Sequence, residues 1–270
     1  MLENPRSPRV RAVAKLTKRS ARTETGLFLS EGPQAVREAL TYSPEAIVEL
    51  FATPTGWDKH PDIRAKASDA DVTVEFVTEY VLNAMADTVT PQGLVAVVRQ
   101  TPTSVRDIFD ASPRLVAICE EIRDPGNLGT IIRAADAAGA DAVVLTGRTV
   151  DPYNPKVVRA TTGSLFHLPV SVGAELDDVV QRAHAAGLTI LAADVKGDDL
   201  LQARAEGVLA GPTGWLFGNE ARGLDDDALD RADRVLKLPI FGRAESLNLA
   251  TAASVCLYES AFAQRAGTAA

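Results

Sequence analysis

From residue 115 onward the sequence alternates between two hydrophobic periods, and this alternation constrains the fold more than any other feature. LVAIC (115–119), DAVVLTG (141–147), LTILAAD (188–194), GWLFG (214–218) and RVLKLPI (234–240) are short apolar runs with strand character. A further strand is expected around His167–Val170. Between them, NLGTIIRAADAAGA (127–140) and ELDDVVQRAHAAG (175–187) place apolar residues at helical spacing, and the second ends in Gly. NPKVVRATTGS (154–164) opens a short helix with Pro just inside its start. SLNLATAASVCLYESAFAQRA (246–266) predicts a long helix rich in Ala and Leu. Strands that alternate with helices in this way imply an α/β fold with a mostly parallel, covered sheet.

The first hundred residues repeat the theme on a smaller scale. Residues 8–22 predict a basic helix, and LFLSEGPQAVREAL (27–40) reads as strand, turn and amphipathic helix. AIVELF (46–51), VTVEFV (72–77) and GLVAVV (93–98) are further strands. TPTSVRDIFDASPR (101–114) is polar, with two prolines and two serines, and reads as a linker. The expected organisation is therefore a small α/β domain over 1–100, a linker over 101–113 and a second domain over 114–270.

Composition removes several classes of function. With 24% charged residues and a mean hydropathy of +0.01, the chain is neither disordered nor a membrane protein. No apolar run approaches the ~20 residues that span a bilayer, and MLENPRSPRVRAVAKL lacks the apolar core of a secretory signal. Cys119 and Cys256 lie far apart, which fits a reducing cytosol and a cytoplasmic protein. With three histidines and neither C-x-x-C nor H-E-x-x-H, a metal site is not expected. The net charge of −8 argues against a wholly basic nucleic-acid binder. Residues 1–22 nevertheless carry Arg6, Arg9, Arg11, Lys15, Lys18, Arg19 and Arg22 against the single acid Glu3. Such a segment is either a footprint for phosphates or a solvated helix.

In an open parallel sheet, ligands bind beyond the carboxyl ends of the strands, and three loops there carry polar residues that a core does not need. In EEIRDPGNLGTIIRAADAAG (120–139), Asn127 lies at the helix start and Arg133 six residues further on. The plain structural alternative makes Asn127 an N-cap and Arg133 a snorkelling surface residue. In GWLFGNEARGLDDDALDRAD (214–233), Asp225–Asp227 suit a helix N-terminus. Glu220 sits at a strand exit between glycines and is either a turn carboxylate or a ligand contact. In LKLPIFGRAESLNLATAASV (236–255), Ser246 is the expected N-cap, and Asn248 one turn in has no capping role. Neither G-x-G-x-x-G nor G-x-x-x-x-G-K-[ST] occurs, which disfavours an NAD or ATP enzyme.

Taken in order, D-P-G-N-L-G-T-I-I-R-A-A-D-A-A-G, L-F-G-N-E-A-R-G-L and L-P-I-x(5)-S-L-N-L-A-T-A-A resemble the SpoU class of RNA 2′-O-ribose methyltransferases, of the knotted SPOUT superfamily. The resemblance covers about residues 114–265. FLSEGPQAVREAL and TPQGLVAVV (90–98) are similar to the substrate-binding domain attached to many members, itself similar to RNA-binding ribosomal-protein modules. The last motif departs modestly, reading S-L-N-L-A where many members have S-L-N-V-S, with the loss of a hydroxyl at Ala250.

The resemblance implies a deep trefoil knot, which periodicity does not reveal because chains as a rule avoid knots. It also implies S-adenosylmethionine as methyl donor, a homodimer, and RNA as substrate, ribosomal before transfer RNA. Arg133 is then the central catalytic residue, with Asn127, Glu220, Ser246 and Asn248 around it. Gly218, Asn219, Leu238, Ile240 and Leu247 would contact the donor, largely through backbone groups. Glu220 is expected to orient Arg133. Arg148, Lys156 and Arg159 could add phosphate contacts. His60, His167 and His184 are read as structural, and Trp57 and Trp215 as packing residues. The alternatives are a non-catalytic RNA-binding or assembly factor on the same fold and, less favoured, a Rossmann oxidoreductase.

Overall fold

The computed structural model describes residues 1–266. From Pro8 to Arg99 the elements are α1 (Pro8–Lys15), α2 (Arg19–Thr25), β1 (Leu27–Glu31), α3 (Pro33–Tyr42), β2 (Ile47–Ala52), α4 (Pro54–Lys59), α5 (Pro61–Asp69), β3 (Val74–Phe76), α6 (Glu79–Met85) and β4 (Leu94–Arg99). They are followed by α7 (Val105–Asp110), β5 (Leu115–Glu120), α8 (Pro125–Ala138), β6 (Ala142–Thr146), α9 (Pro155–Thr161), β7 (Val170–Ala174) and α10 (Leu176–Ala185). The last are β8 (Thr189–Asp199), α11 (Leu200–Ala205), β9 (Thr213–Phe217), α12 (Asp226–Leu229), β10 (Arg234–Lys237) and α13 (Leu249–Ala266). The chain forms two compact units, 1–101 with 151–167 and 102–150 with 168–266.

The first unit is built on a four-stranded sheet of order β1-β4-β2-β3, antiparallel except for the β2–β3 pair. One core gathers Val10, Val13 and Leu16 with Leu29, Phe51, Val81, Leu82, Met85 and Val97. Side chains alternate across a strand, so Phe28, next to Leu29, packs instead against Tyr153 and Phe166, with ring centroids 4.9 and 6.2 Å away. Both partners come from 151–167, a segment that sequence continuity assigned to the second domain and that packs here in the first unit.

The expected single basic helix over 8–22 is two helices, because Lys18 turns to extended backbone between them. Two of its arginines are committed internally. Arg22 is only 2% exposed. Its guanidinium donates to Asp151 Oδ2 at 2.8 Å and to the carbonyls of Leu16 and Thr17 at 2.8 and 2.9 Å. Every face of this buried charge is paired, which is the condition for tolerating it. Arg9 pairs with Glu49 and Glu75. Arg159, expected as a phosphate contact, instead pairs with Asp87 at 2.9 Å and lies 3.8 Å from Glu31.

The second unit carries the expected parallel sheet, six strands in the order β10-β8-β9-β5-β6-β7. On one face Val116, Ile118, Val144, Ile190 and Leu216 meet Val179, Val180 and Ala183 of α10. Val105, Ile108 and Phe109 of α7 join the same core. Residues 101–113, read as a linker, thus contain a helix that closes this face of the sheet. The opposite face supports α8 and α13. There Trp215 is fully buried and donates its indole N–H to Ser260 Oγ at 2.9 Å, so the one polar atom of a large apolar side chain is satisfied. Trp215 is a packing residue, as read. β6 and β7 extend the sheet on one side of β5, while β8 and β10 extend it on the other side of β9. The connections therefore reverse direction between β5 and β9, and this is where a parallel sheet opens a crevice at its carboxyl ends.

Candidate active site

Helix α8 begins at Pro125, two residues before the expected start, and its N-cap is Asp124, whose carboxylate accepts from the Asn127 N–H at 2.8 Å. Capping is therefore not the task of the Asn127 side chain. The last helix shows the converse. It begins at Leu249, and the Asn248 Oδ1 accepts from the N–H groups of Ala250 and Thr251 at 2.9 and 3.3 Å. Asn248, read as having no capping role, is the cap, and Ser246 lies outside the helix, exposed and without a hydrogen bond among the described residues. The reason is that the loop after β10 runs farther than the apolar pattern indicated, and the helix begins only where Asn248 can close it.

These two corrections orient a hydrogen-bonded line. Capping commits the Asn248 Oδ1, so its Nδ2 turns outward and donates to Asn127 Oδ1 at 2.9 Å. This leaves the Asn127 Nδ2 to donate to Glu220 Oε1 at 3.3 Å. The Glu220 carboxylate also accepts from the backbone N–H groups of Arg123 and Asp124 at 3.1 and 2.9 Å. One side chain from each of the loops following β5, β9 and β10 meets in this line.

The β9 loop is held rigid beneath it. Gly218 is buried, and a Cβ there would stand 2.5 Å from the Gly223 carbonyl carbon, so no other residue fits. Asn219 and Gly223 exchange backbone hydrogen bonds at 3.1 and 2.8 Å. The Asn219 Nδ2 reaches across to the Glu121 carbonyl at 2.9 Å. Glu121 adopts a positive φ of 52°, uncommon for a residue with a Cβ, and its carboxylate pairs with Arg222 and, at 3.5 Å, with Arg123. Glu121, Arg123 and Arg222 tie the first two loops together and were not singled out from sequence. The two adjacent acids at a strand end were the only visible sign of them.

Arg133 projects from α8 six residues beyond Asn127, about 9 Å along the axis at 1.5 Å per residue. It is exposed and makes no hydrogen bond or ion pair among the described residues. The expected contact between Glu220 and Arg133 is absent, because the Glu220 oxygens are committed to the α8 entry. Asn127, Glu220 and Asn248 are thus brought together, while Arg133 and Ser246 stand apart from that line.

The third loop differs from the other two. Among the described residues, the backbone of 239–247 makes no hydrogen bond. Leu238 is half-buried, whereas Ile240 and Leu247 are 38% and 40% exposed. Free amide groups between apolar side chains suit a planar heterocycle that needs both stacking and edge hydrogen bonds. Cys119, at the end of β5, is fully buried, and burial together with the nearby Glu220 charge pushes its thiol up, so it remains protonated and is no nucleophile.

Against this geometry, two family models match: the SpoU rRNA methylase family over residues 114–258 and the RNA 2′-O ribose methyltransferase substrate-binding family over residues 29–103. The chain belongs to the SpoU rRNA methylase family. It is 34% identical over 259 residues to a Bacillus subtilis 23S rRNA (guanosine(2553)-2′-O)-methyltransferase, covering 95% of this chain and 97% of that one. The crystal structure of an S-adenosylmethionine-bound rRNA methyltransferase from Sinorhizobium meliloti superposes with a TM-score of 0.83 at 33% identity, covering 96% of each chain. That of the SpoU methyltransferase AviRb from Streptomyces viridochromogenes with the same cofactor gives 0.80 at 30% identity, covering 97% of this chain and 100% of that one. The fold class expected from the three motifs is that of these SPOUT methyltransferases.

Proposed function

We propose that this protein transfers a methyl group from S-adenosylmethionine to a ribose 2′-hydroxyl of ribosomal RNA. The observation that carries the reading is the line Glu220–Asn127–Asn248, which joins the three family motifs on the helix that also presents an uncommitted Arg133. The relatives methylate 23S rRNA by name, which favours ribosomal RNA as the substrate class.

The residues present fit the donor. The unbonded backbone of 239–247, the apolar Leu238, Ile240 and Leu247, and the tight turn at Gly218 and Asn219 would hold its adenosine. When bound, S-adenosylmethionine supplies a methyl group activated on a positively charged sulfur. The chain must then align the 2′-hydroxyl and manage its charge, and positioning of this kind contributes much of the rate in a bimolecular displacement. Arg133 holds the phosphate beside the target ribose with its guanidinium and stabilises the negative charge developing on the 2′ oxygen. The Asn127 amide has a second N–H beyond the one given to Glu220, and this donates to the ribose. Glu220 acts as the anchor of the α8 entry, Asn248 fixes the Asn127 amide, and the free Ser246 hydroxyl completes the ribose side.

The same reading assigns RNA capture to the first unit, over the 29–103 match. It makes the protein a homodimer, supported by Val255, Tyr258 and Phe262, which leave an apolar strip of α13 38%, 37% and 55% exposed. It places a trefoil knot between β10 and α13, supported by β10 lying at the sheet edge while α13 returns to pack on α8, β5 and β9. A cytoplasmic location accords with an rRNA substrate, and no helix among the described residues is long and apolar enough to cross a membrane.

The test is incubation with labelled S-adenosylmethionine and separate pools of unmethylated large-subunit rRNA, small-subunit rRNA and tRNA. Label in an rRNA pool, as an alkali-resistant linkage and lost in Arg133→Ala, is the expected result. Absence of donor binding would favour a non-catalytic RNA-binding factor.

A further inference from the structure

The loop between β10 and α13 presents side chains as well as the backbone assigned above to the donor. Phe241 is 88% exposed, and among the large hydrophobic side chains of the described residues only Val89, at 97%, is more so. It has no ring partner, unlike Tyr42, which lies against His167, or Phe262, which lies against Tyr258. Two residues on, Arg243 is exposed and makes no ion pair or hydrogen bond among the described residues. An unpartnered aromatic ring and an unpartnered guanidinium therefore share one loop, which leads directly into Ser246 and the Asn248 cap.

We propose that Phe241 is a stacking platform for an unpaired nucleobase of the RNA substrate, and that Arg243 holds an adjacent phosphate; this rests on the RNA methyltransferase reading above. Proteins read RNA chiefly where bases are unstacked, and they do so with aromatic faces beside cationic side chains. Stacking accepts any base, so Phe241 contributes binding and positioning rather than sequence choice. The surroundings favour RNA over a second copy of the chain. Phe241 is followed by Gly242, Arg243, Ala244, Glu245 and Ser246, a small and polar run, whereas a protein contact surface is expected to be a contiguous apolar strip such as that on α13.

The test uses the full chain with unmethylated rRNA and the variants F241A, F241L, F241W and R243A. Steady-state kinetics on RNA are read together with donor affinity by calorimetry and oligomeric state by sedimentation. F241A is expected to raise the KM for RNA roughly 5- to 150-fold, the worth of one stacked base, with sedimentation unchanged and a smaller change in donor affinity than in the KM for RNA. F241W should restore the KM, and its indole emission should be quenched on adding RNA. F241L, apolar but without a ring face, should not restore it. R243A should lower the slope of log affinity against log salt by about one. The proposal is overturned if F241A leaves the KM unchanged, if F241L performs as well as wild type, or if F241A alters sedimentation, which would assign the ring to a contact between copies. Failure of the wild-type protein to methylate any RNA overturns the functional reading itself, and this inference with it; transfer by wild type with an indifferent F241A overturns this inference alone.

Discussion

Two sets of arginines in this chain are used in opposite ways. In the first unit, Arg9, Arg22 and Arg159 are each committed to carboxylates, and Arg22 is wholly enclosed. In the second, Arg133 and Arg243 stand exposed beside loops that lead from strand ends, with no partner among the described residues. The same side chain is therefore a structural fastener in one place and a presented charge in the other. Residue type and local charge density did not separate them, since the basic segment 1–22 reads equally as a phosphate footprint or a solvated helix. The difference depends on which carboxylates the fold brings near, and that is a tertiary property.

The contrast can be broken by substitution, and the largest effect is expected at Arg133. Arg133→Ala should lower methyl transfer by at least the ~10²–10³-fold typical of losing one preorganised charge-stabilising group. Thermal stability and donor affinity should stay near wild type, because no internal contact is lost. A matching loss of stability would show that Arg133 is a fastener after all. Arg22→Ala should do the reverse. It strands Asp151 and two carbonyls in a buried setting and should cost about 3–5 kcal/mol by denaturant titration. Donor binding by the folded protein should be unaffected. An unchanged unfolding midpoint would refute the fastener role.

Glu220→Gln sharpens the comparison within the second unit. A glutamine offers one acceptor oxygen where the carboxylate serves Arg123, Asp124 and Asn127, so one donor at this exposed helix entry loses its protein partner at a cost of about 0.5–1.5 kcal/mol. The expected readout is a fall in kcat larger than the change in melting temperature, with faster hydrogen exchange confined to residues 121–127. Uniformly faster exchange would instead mark Glu220 as a general stability residue.

The smallest effect is expected at Glu120. Its Oε2 is buried without a hydrogen-bond partner, and burial pushes its carboxyl up, aided by the charges of Glu121 and Asp225 and opposed by Thr146 and Arg222. The folded state thus binds this proton more tightly than the unfolded chain. Stability from this group is complete below the ordinary carboxylate range and declines as pH rises through the raised value. Glu120→Gln should remove that decline, flattening the stability profile between the ordinary carboxylate range and the raised value, and a profile superposable on wild type would contradict the assignment.

Much of this was legible beforehand, for identifiable reasons. The parallel sheet followed from strands that alternate with helices, and the three loops followed from where the apolar runs stop. Asn127, Glu220 and Asn248 stood out because each is polar at a strand exit or helix entry. Their mutual bonding did not, because it depends on two cap assignments that sequence patterns displaced: Asp124 for Asn127, and Asn248 for Ser246. Cap positions hang on the backbone geometry of one or two residues, which hydrophobic periodicity does not record. Helix α7 was read as linker because its prolines and serines flank it, while the residues that bury, Val105, Ile108 and Phe109, are few.

The sequence by itself determined the fold class, the order of the elements, the family and the loops that carry chemistry, because periodicity and motif are properties of neighbours along the chain. Only the tertiary structure decided that 151–167 completes the first unit, that Arg22 and Arg159 are spent on Asp151 and Asp87, and that Glu220 anchors the α8 entry rather than Arg133. Each of these pairs residues far apart in sequence, and whether a charge is neutralised or presented depends on what lies within a few ångströms of it in space.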